Sequence, residues 1–391
     1  MVWTTLDIQR KCGFAAARHD PDGQTLVVIG SFRAATVSNP VASARCQRYV
    51  AGFIEPDFQV GQGEMQMIVR GIAVAGLALA VSTGAAQAQS VPAVIFDMGG
   101  KFDKSFNEAA YNGAERFKKE FNVEYREFEI SNEAQREQAQ VNMVRRGANL
   151  VVAIGFAQAA AVTKNAAENP NVRFCIIDSV VNAPNVRSYT FKEHEGSYLV
   201  GMAAAMASKT GKVGFVGGMD IPLIRNFAFG YEQGAKAVNP QIEVFQNMTG
   251  TTPAAWRDPT RGGELARSQF DRGADVVYAA AGATGLGVLQ AAADLNRLAI
   301  GVDSNQNHLH PGKVLTSMLK RVDTAVYTCM KDAHENKWTA GALRLGVAED
   351  GVGWALDQNN RPLISADMER RITEARQKII SGEITVRPYQ Q

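Results

Sequence analysis

Asp97, Asp178 and Asp303 each close a short apolar run of the chain. Asp97 is followed by Gly99, Gly100, Asp103, Phe106 and Asn107. A third run ends in Gly155-Phe156, a sixth in Gly217-Gly218 with Phe227 a few residues on, and an eighth in Gly282. Carboxylates, glycines and aromatic rings thus recur at the same kind of place. Carboxylates accept hydrogen bonds from hydroxyls, glycines let backbone approach a ligand, and rings stack on flat faces. Together they suit a flat, hydroxylated, neutral small molecule. A buried carboxylate-to-hydroxyl bond contributes about 1.5–3 kcal/mol and a stacked ring about 0.5–1.5 kcal/mol beyond its area. A handful of these reaches the roughly 8 kcal/mol of a micromolar site.

Each feature also has a plain structural reading. A single Phe at a helix start is more often a hydrophobic staple, and an Asp at a strand end is often a helix cap. Recurrence along the chain is what favours a ligand site. Other chemistries lack their parts. The stretch GATGLG, Gly282 to Gly287, has neither the Lys-Ser/Thr ending of a phosphate loop nor the first-strand context of a dinucleotide fingerprint. His308 and His310 alternate in a loop with no nearby Cys and read as solvated. No Ser/His/Asp or Cys/His set sits at convergent strand ends, so nucleophilic catalysis has no visible apparatus. No cofactor, metal or enzymatic activity is expected.

The elements that must position these residues follow from ten runs: VPAVIFDM, VEYREFEI, NLVVAIG, RFCIID and VRSYTF, then KVGFVGG, IEVFQNM, DVVYAAAG, LAIGVD and VLTSMLK. Continuous apolar runs mark strands covered on both faces, and their alternation with amphipathic stretches predicts doubly wound α/β structure. In such sheets ligands bind beyond the carboxyl ends of the strands. The Ala-rich helix KEHEGSYLVGMAAAMASKTG divides the cadence in two. The first lobe is expected at 89–208 with about 320–340, the second at 212–315 with about 342–391. Lys320 falls on a segment expected to cross between them. A terminal helix opens at Ser365, with Asp367 and Glu369 in its first turn.

Met67 to Ala88 has the parts of a secretory signal: Arg70, an apolar run from Ile72 to Val81, and Ala86-Gln87-Ala88 as cleavage site. The run is too short for a bilayer of roughly 30 Å. Residues 1–66, without sustained helical or strand period, read as an extension outside the natural product. A soluble periplasmic protein beginning at Gln89 is expected, without a lipid-anchor Cys. The net charge of +2 on 391 residues gives no sign of a nucleic-acid partner, and a monomer is expected. Beyond residue 88 only Cys175 and Cys329 remain, read as buried free thiols in preference to a bridge.

The blocks DKSFN, AIGFA, FCIID, TFKEHEGSYLVG, KVGFVGGM, GADVVYAAAGATGLGV, GVDSNQ and SMLKRVD, in this order over nearly all of 91–386, resemble the basic membrane protein family of ABC-transporter substrate-binding proteins. Its characterised members include purine nucleoside receptors. The resemblance implies a periplasmic-binding-protein type I-like fold: two doubly wound parallel-sheet lobes, a hinge and a ligand cleft. It implies a base held between Phe106 and Phe227, ribose hydroxyls held by Asp303 and Lys320, Gly282 close to the sugar, and Asn107 and Asp178 near the base. It also implies an ABC permease as partner. Asn305 and Ala283 depart from the family's usual residues. A sugar or other small polar metabolite, or a sensor role at a membrane receptor, stays open.

Overall fold

The computed structural model describes residues 90–390, together with a short antiparallel pair at Arg18–His19 and Thr25–Leu26. The expected signal sequence at 67–88 lies outside the described residues, as do the structural particulars of the rest of 1–66.

All ten runs form strands. The first series is β1 (Pro92–Phe96), β2 (Arg126–Glu129), β3 (Leu150–Ala153), β4 (Arg173–Ile177) and β5 (Val186–Phe191). The second is β6 (Lys212–Met219), β7 (Glu243–Gly250), β8 (Val276–Ala280), β9 (Leu298–Asp303) and β10 (Val314–Lys320). Every residue of β1, β3 and β8 is buried, as strands with helices on both faces require. The helices between them are α1 (Phe106–Phe121), α2 (Gln135–Arg145), α3 (Ala159–Glu168), α4 (Glu193–Ala207), α5 (Pro222–Val238), α6 (Pro259–Asp271) and α7 (Gly285–Asp294). After β10 come α8 (Val322–His334), β11 (Gly341–Leu345), β12 (Val352–Trp354) and α9 (Ala366–Ser381). In α9 the Ser365 hydroxyl accepts from the Met368 N–H, the cap expected of it.

The two sheets repeat one order, β11-β5-β4-β3-β1-β2 and β12-β10-β9-β8-β6-β7. The first is parallel throughout. The second is parallel except for β12, which runs antiparallel to β10. One face of each sheet, with Val94 and Phe96 in the first and Phe215 and Tyr278 in the second, contributes to a continuous core. The opposite faces close smaller cores under α2 and α3 and under α6 and α7.

The lobes exchange helices. α4 follows β5 but packs on α5, β10 and β12, whereas α8 follows β10 but packs on α1, β3 and β4. Both exchanges bring backbones close: a Cβ on Gly113 of α1 would lie 2.2 Å from the Asp323 carbonyl oxygen, and one on Gly230 of α5 would lie 2.3 Å from that of His194. The expected boundaries shift accordingly. α4 belongs with the second sheet, β11 pairs with the first, and Lys320 is the last residue of β10 and not part of a crossing segment. The near-uniform burial of α4 explains the difference: a helix apolar all round carries no mark of which sheet it covers.

The return of α8 also corrects the reading of the cysteines. Cys175 of β4 and Cys329 of α8, 154 residues apart, are joined in a disulfide with a Cα–Cα distance of 6.7 Å. Such a bond restricts the unfolded chain, so Cys329→Ala should lower stability by about 2–5 kcal/mol. Urea denaturation of the oxidised protein and the variant tests this. Equal midpoints, or a free thiol at Cys175 in the unreduced wild type, would contradict it.

Candidate functional site

Where the carboxyl ends of the two sheets face each other lies a cavity with about 590 Å³ of empty space, counting the part open to solvent. All seven residues singled out in the sequence, Phe106, Asn107, Asp178, Phe227, Gly282, Asp303 and Lys320, line it. The symmetry of the sheets accounts for much of this. Asp178 follows β4 and Asp303 ends β9, the fourth strand of each series. Both adopt the left-handed conformation, with φ of 68° and 62°, which aspartate tolerates better than most residues. Gly155 and Gly282, after the third strand of each series, also have positive φ, 99° and 57°.

The start of α1 is built around Asp103. Its carboxylate accepts from the N–H groups of Ser105, Asn107 and Glu108 at 2.8, 3.0 and 3.1 Å, and from the Asn107 side-chain amide at 3.2 Å. The Asn107 oxygen in turn accepts from the Asp97 N–H at 3.1 Å. Asn107 therefore braces the loop between β1 and α1 with its own amide. Asp97 is held by the Arg136 guanidinium at 3.2 Å. This order at the helix mouth carries Phe106 to the cavity wall.

Lys320 is 2% exposed. Its ammonium donates to Asp178 of the first lobe at 2.7 Å and lies 3.4 Å from Glu193, the first residue of α4. The rings of Phe106, Phe191 and Phe227 stand 5.3, 5.1 and 5.4 Å from it, within reach of cation–π attraction. Lys320 thus pairs across the lobes with Asp178, whereas Asp303 acts on it at longer range and takes its short contact, 2.5 Å, from the Ser105 hydroxyl. Burial alone would lower the lysine's pKa. The charges of Asp178, Glu193 and Asp303 outweigh it and hold the ammonium protonated well above its ordinary range.

Carboxylates outnumber this cation, and burial raises Asp303, Asp103 and Glu193. Asp303 is pushed up to about 6 by burial, against the pull of Lys320 and the Ser105 hydrogen bond. Asp103 also reaches about 6 by burial, against its N–H donors. Glu193 is raised by burial against Lys320. One oxygen of Asp178 is buried without a hydrogen-bond partner among the described residues. The cavity can therefore accept hydrogen bonds from donors on a ligand and offers two rings to its flat face.

Trp256 and Glu193 were not among the residues read from the sequence. Trp256 lines the second-lobe wall with its ring against Gly218, where a Cβ would lie 2.2 Å from the indole. It stands in the stretch TTPAAWRDP, away from any strand end. Glu193 lies just past the end of β5, and the block TFKEHEG was its one signal. Asn305, where the chain departs from the resemblance, is exposed and donates to Asp357 at 2.6 Å, off the cavity wall. Among the described residues, no group of three His, Cys, Asp or Glu side chains is positioned to hold a metal ion.

Residues 90–390 match the family described as Bmp, ABC transporter substrate-binding protein PnrA-like. Basic membrane protein D of Borreliella burgdorferi is 33% identical over 315 residues, which cover 78% of this chain and 89% of that protein. The ABC transporter nucleoside-binding protein BmpA of Lactococcus lactis is 34% identical over 318 residues, covering 75% and 88%. Among solved structures, an ABC transporter system solute-binding protein from Aeropyrum pernix K1 matches with a TM-score of 0.70 at 31% identity, over 77% of this chain and 94% of that one.

The raised carboxyls give a pH dependence of known sign. Asp303 titrates near 6 when folded and near 3.9 when unfolded, so the folded chain binds that proton more tightly. Its contribution therefore favours folding as pH falls through about 6, and is complete below the unfolded value. Asp303→Asn removes this contribution. Relative to wild type, the ligand-free variant should be more stable at about pH 7 than at about pH 5. Thermal melts across that range test it, and a constant difference would contradict it.

Proposed function

The chain belongs to the PnrA-like family of ABC transporter substrate-binding proteins, and on that premise we propose that it captures a purine nucleoside between its lobes and delivers it to a membrane permease. The observation that carries the reading is the cavity's composition: Phe106 of the first lobe and Phe227 of the second border the same space as Asp178 and Asp303, the strand-end carboxylates of opposite sheets. A relative named as a nucleoside-binding protein at 34% identity supports it. Proteins of this family act outside the cytoplasmic membrane, and no helix among the described residues is long and apolar enough to cross one. We read the chain as an exported, periplasmic, monomeric binder that leaves its ligand chemically unchanged.

In this reading the base lies between Phe106 and Phe227, where stacking excludes water from both faces. Ribose hydroxyls donate to Asp303 of the second lobe. The Asp178 oxygen that has no hydrogen-bond partner among the described residues accepts from the polar edge of the base, with Asn107 on the wall of the same cavity. The backbone at Gly282 admits the sugar closely. Lys320, beside both rings, neutralises the carboxylates and donates to a ligand oxygen. A ligand held by Asp303 and Asp178 ties the lobes together, which is the physical basis of closure on binding.

Calorimetry of the ligand-stripped protein against purine and pyrimidine nucleosides, free bases and pentoses tests the assignment. At least one purine nucleoside should bind with about −8 kcal/mol or better, and base and pentose alone much more weakly. A pentose bound in preference would identify a sugar receptor, and recovery of free base from inosine would identify a hydrolase. Either result contradicts the proposal. Phe106→Ala should lose about 2–4 kcal/mol of nucleoside binding while the protein stays folded. Phe227 is only 2% exposed and belongs to the core, so Phe227→Ala costs stability as well. Asp303→Asn should weaken binding by about 10- to 100-fold, the equivalent of a charged hydrogen bond. Normal affinity in Phe106→Ala and Asp303→Asn would exclude the base clamp and the ribose contact respectively.

A further inference from the structure

The lobes also touch directly, through contacts centred on Ser105, which is not on the cavity wall. The Ser105 hydroxyl, fully buried on the first lobe, donates across the gap to Asp303 Oδ2 at 2.5 Å and approaches the Val302 carbonyl at 3.3 Å. The Ser105 carbonyl accepts from the Ser304 hydroxyl at 2.8 Å. The neighbouring Lys104 carbonyl accepts from the Gln306 side-chain amide at 3.0 Å. Both partners are held firmly. The Ser105 N–H is fixed to Asp103, and its carbonyl also accepts from the Ala109 N–H at 3.0 Å, so the loop is continuous with α1. Gln306 is fixed to the second sheet by the Val302 N–H at 2.9 Å and the Ser317 hydroxyl at 2.9 Å. Lys104 and Asp303 both have positive φ, 61° and 62°, a backbone cost that persists where surrounding contacts hold it.

We propose that Ser105 is a positioning residue that latches the two lobes together without a ligand and aims the Asp303 carboxylate into the closed cleft. The second half rests on the reading of Asp303 as a ligand acceptor, whereas the first does not. In an open form Ser105, Ser304, Gln306 and Asp303 would return to water. The closed form gathers their hydrogen bonds into one short contact, one of them to an ionised acceptor, where such bonds are strongest. A chain already closed part of the time spends less of its binding energy on closure, so the latch sets apparent affinity as well as shape.

Small-angle scattering of the full, ligand-free chain at neutral pH tests the latch with no ligand needed. Ser105→Ala and Ser304→Ala should each show a larger radius of gyration than wild type, and the variants should compact when inosine is added. Ser304 is not on the cavity wall, so Ser304→Ala carries the test if Ser105→Ala fails to fold. Ligand-free radii equal to wild type in the folded variants would overturn the latch, whatever the protein binds. Stopped-flow exchange of inosine adds the positioning readout. Release from Ser105→Ala should be about tenfold faster or more, with association changed far less. Unchanged release together with an unchanged radius would leave Ser105 a purely local contact and overturn the proposal, whereas wild type that binds no nucleoside at all would count against the proposed ligand and not the latch.

Discussion

The ammonium of Lys320 is buried between two lobes, and much of the cleft follows from keeping it charged there. Removing such an ion from water costs several kcal/mol unless close opposite charge and hydrogen bonds offset it. Here the offset comes from three separate pieces of chain: Asp178 after β4, Glu193 at the start of the exchanged helix α4, and, at longer range, Asp303 at the end of β9. The lysine holds those pieces in register. Its neutralising capacity is spread over more carboxylates than it can satisfy, which leaves Asp303 and Glu193 raised by burial and one Asp178 oxygen without a hydrogen-bond partner among the described residues. An acid-rich pocket of this kind favours ligands that bring hydrogen-bond donors and disfavours anions.

The near-twofold relation of the lobes explains how such a site arises from two similar halves. The fourth strands end in left-handed aspartates and the third in positive-φ glycines. The fifth strands differ: β5 ends in Phe191 and β10 in Lys320, and the ring of the first lies 5.1 Å from the ammonium of the second. Equivalent positions thus supply an apolar face on one side and a charge on the other. The exchange of α4 and α8 ties the halves together, and it is this crossing that brings Cys329 to Cys175.

Much of this was legible in the residues. Strands covered on both faces read as continuous apolar runs, and the cadence they set also located the edge strands β2 and β7, so all ten expected strands and the residues at their ends could be found, and those ends are where the cavity lies. The remainder depends on relations between distant elements. The edge strand β11 is largely exposed and β12 has three residues, so neither reads as an apolar run. The destination of α4 is hidden by its uniform burial, and the cysteine pairing depends on how α8 seats against β4. Asn107 and Ser105 stand beside Phe106 in one motif, but only the folded geometry separates them: the amide braces its own loop, and the hydroxyl reaches the opposite lobe.

The most direct measurement is a crystal structure of the protein grown with a purine nucleoside such as inosine. The base should lie between Phe106 and Phe227, with ribose hydroxyls within hydrogen-bonding distance of Asp303 and Lys320 still paired to Asp178. A nucleoside bound outside this cleft, or inside it with neither ring against the base, would contradict the assignment of the site.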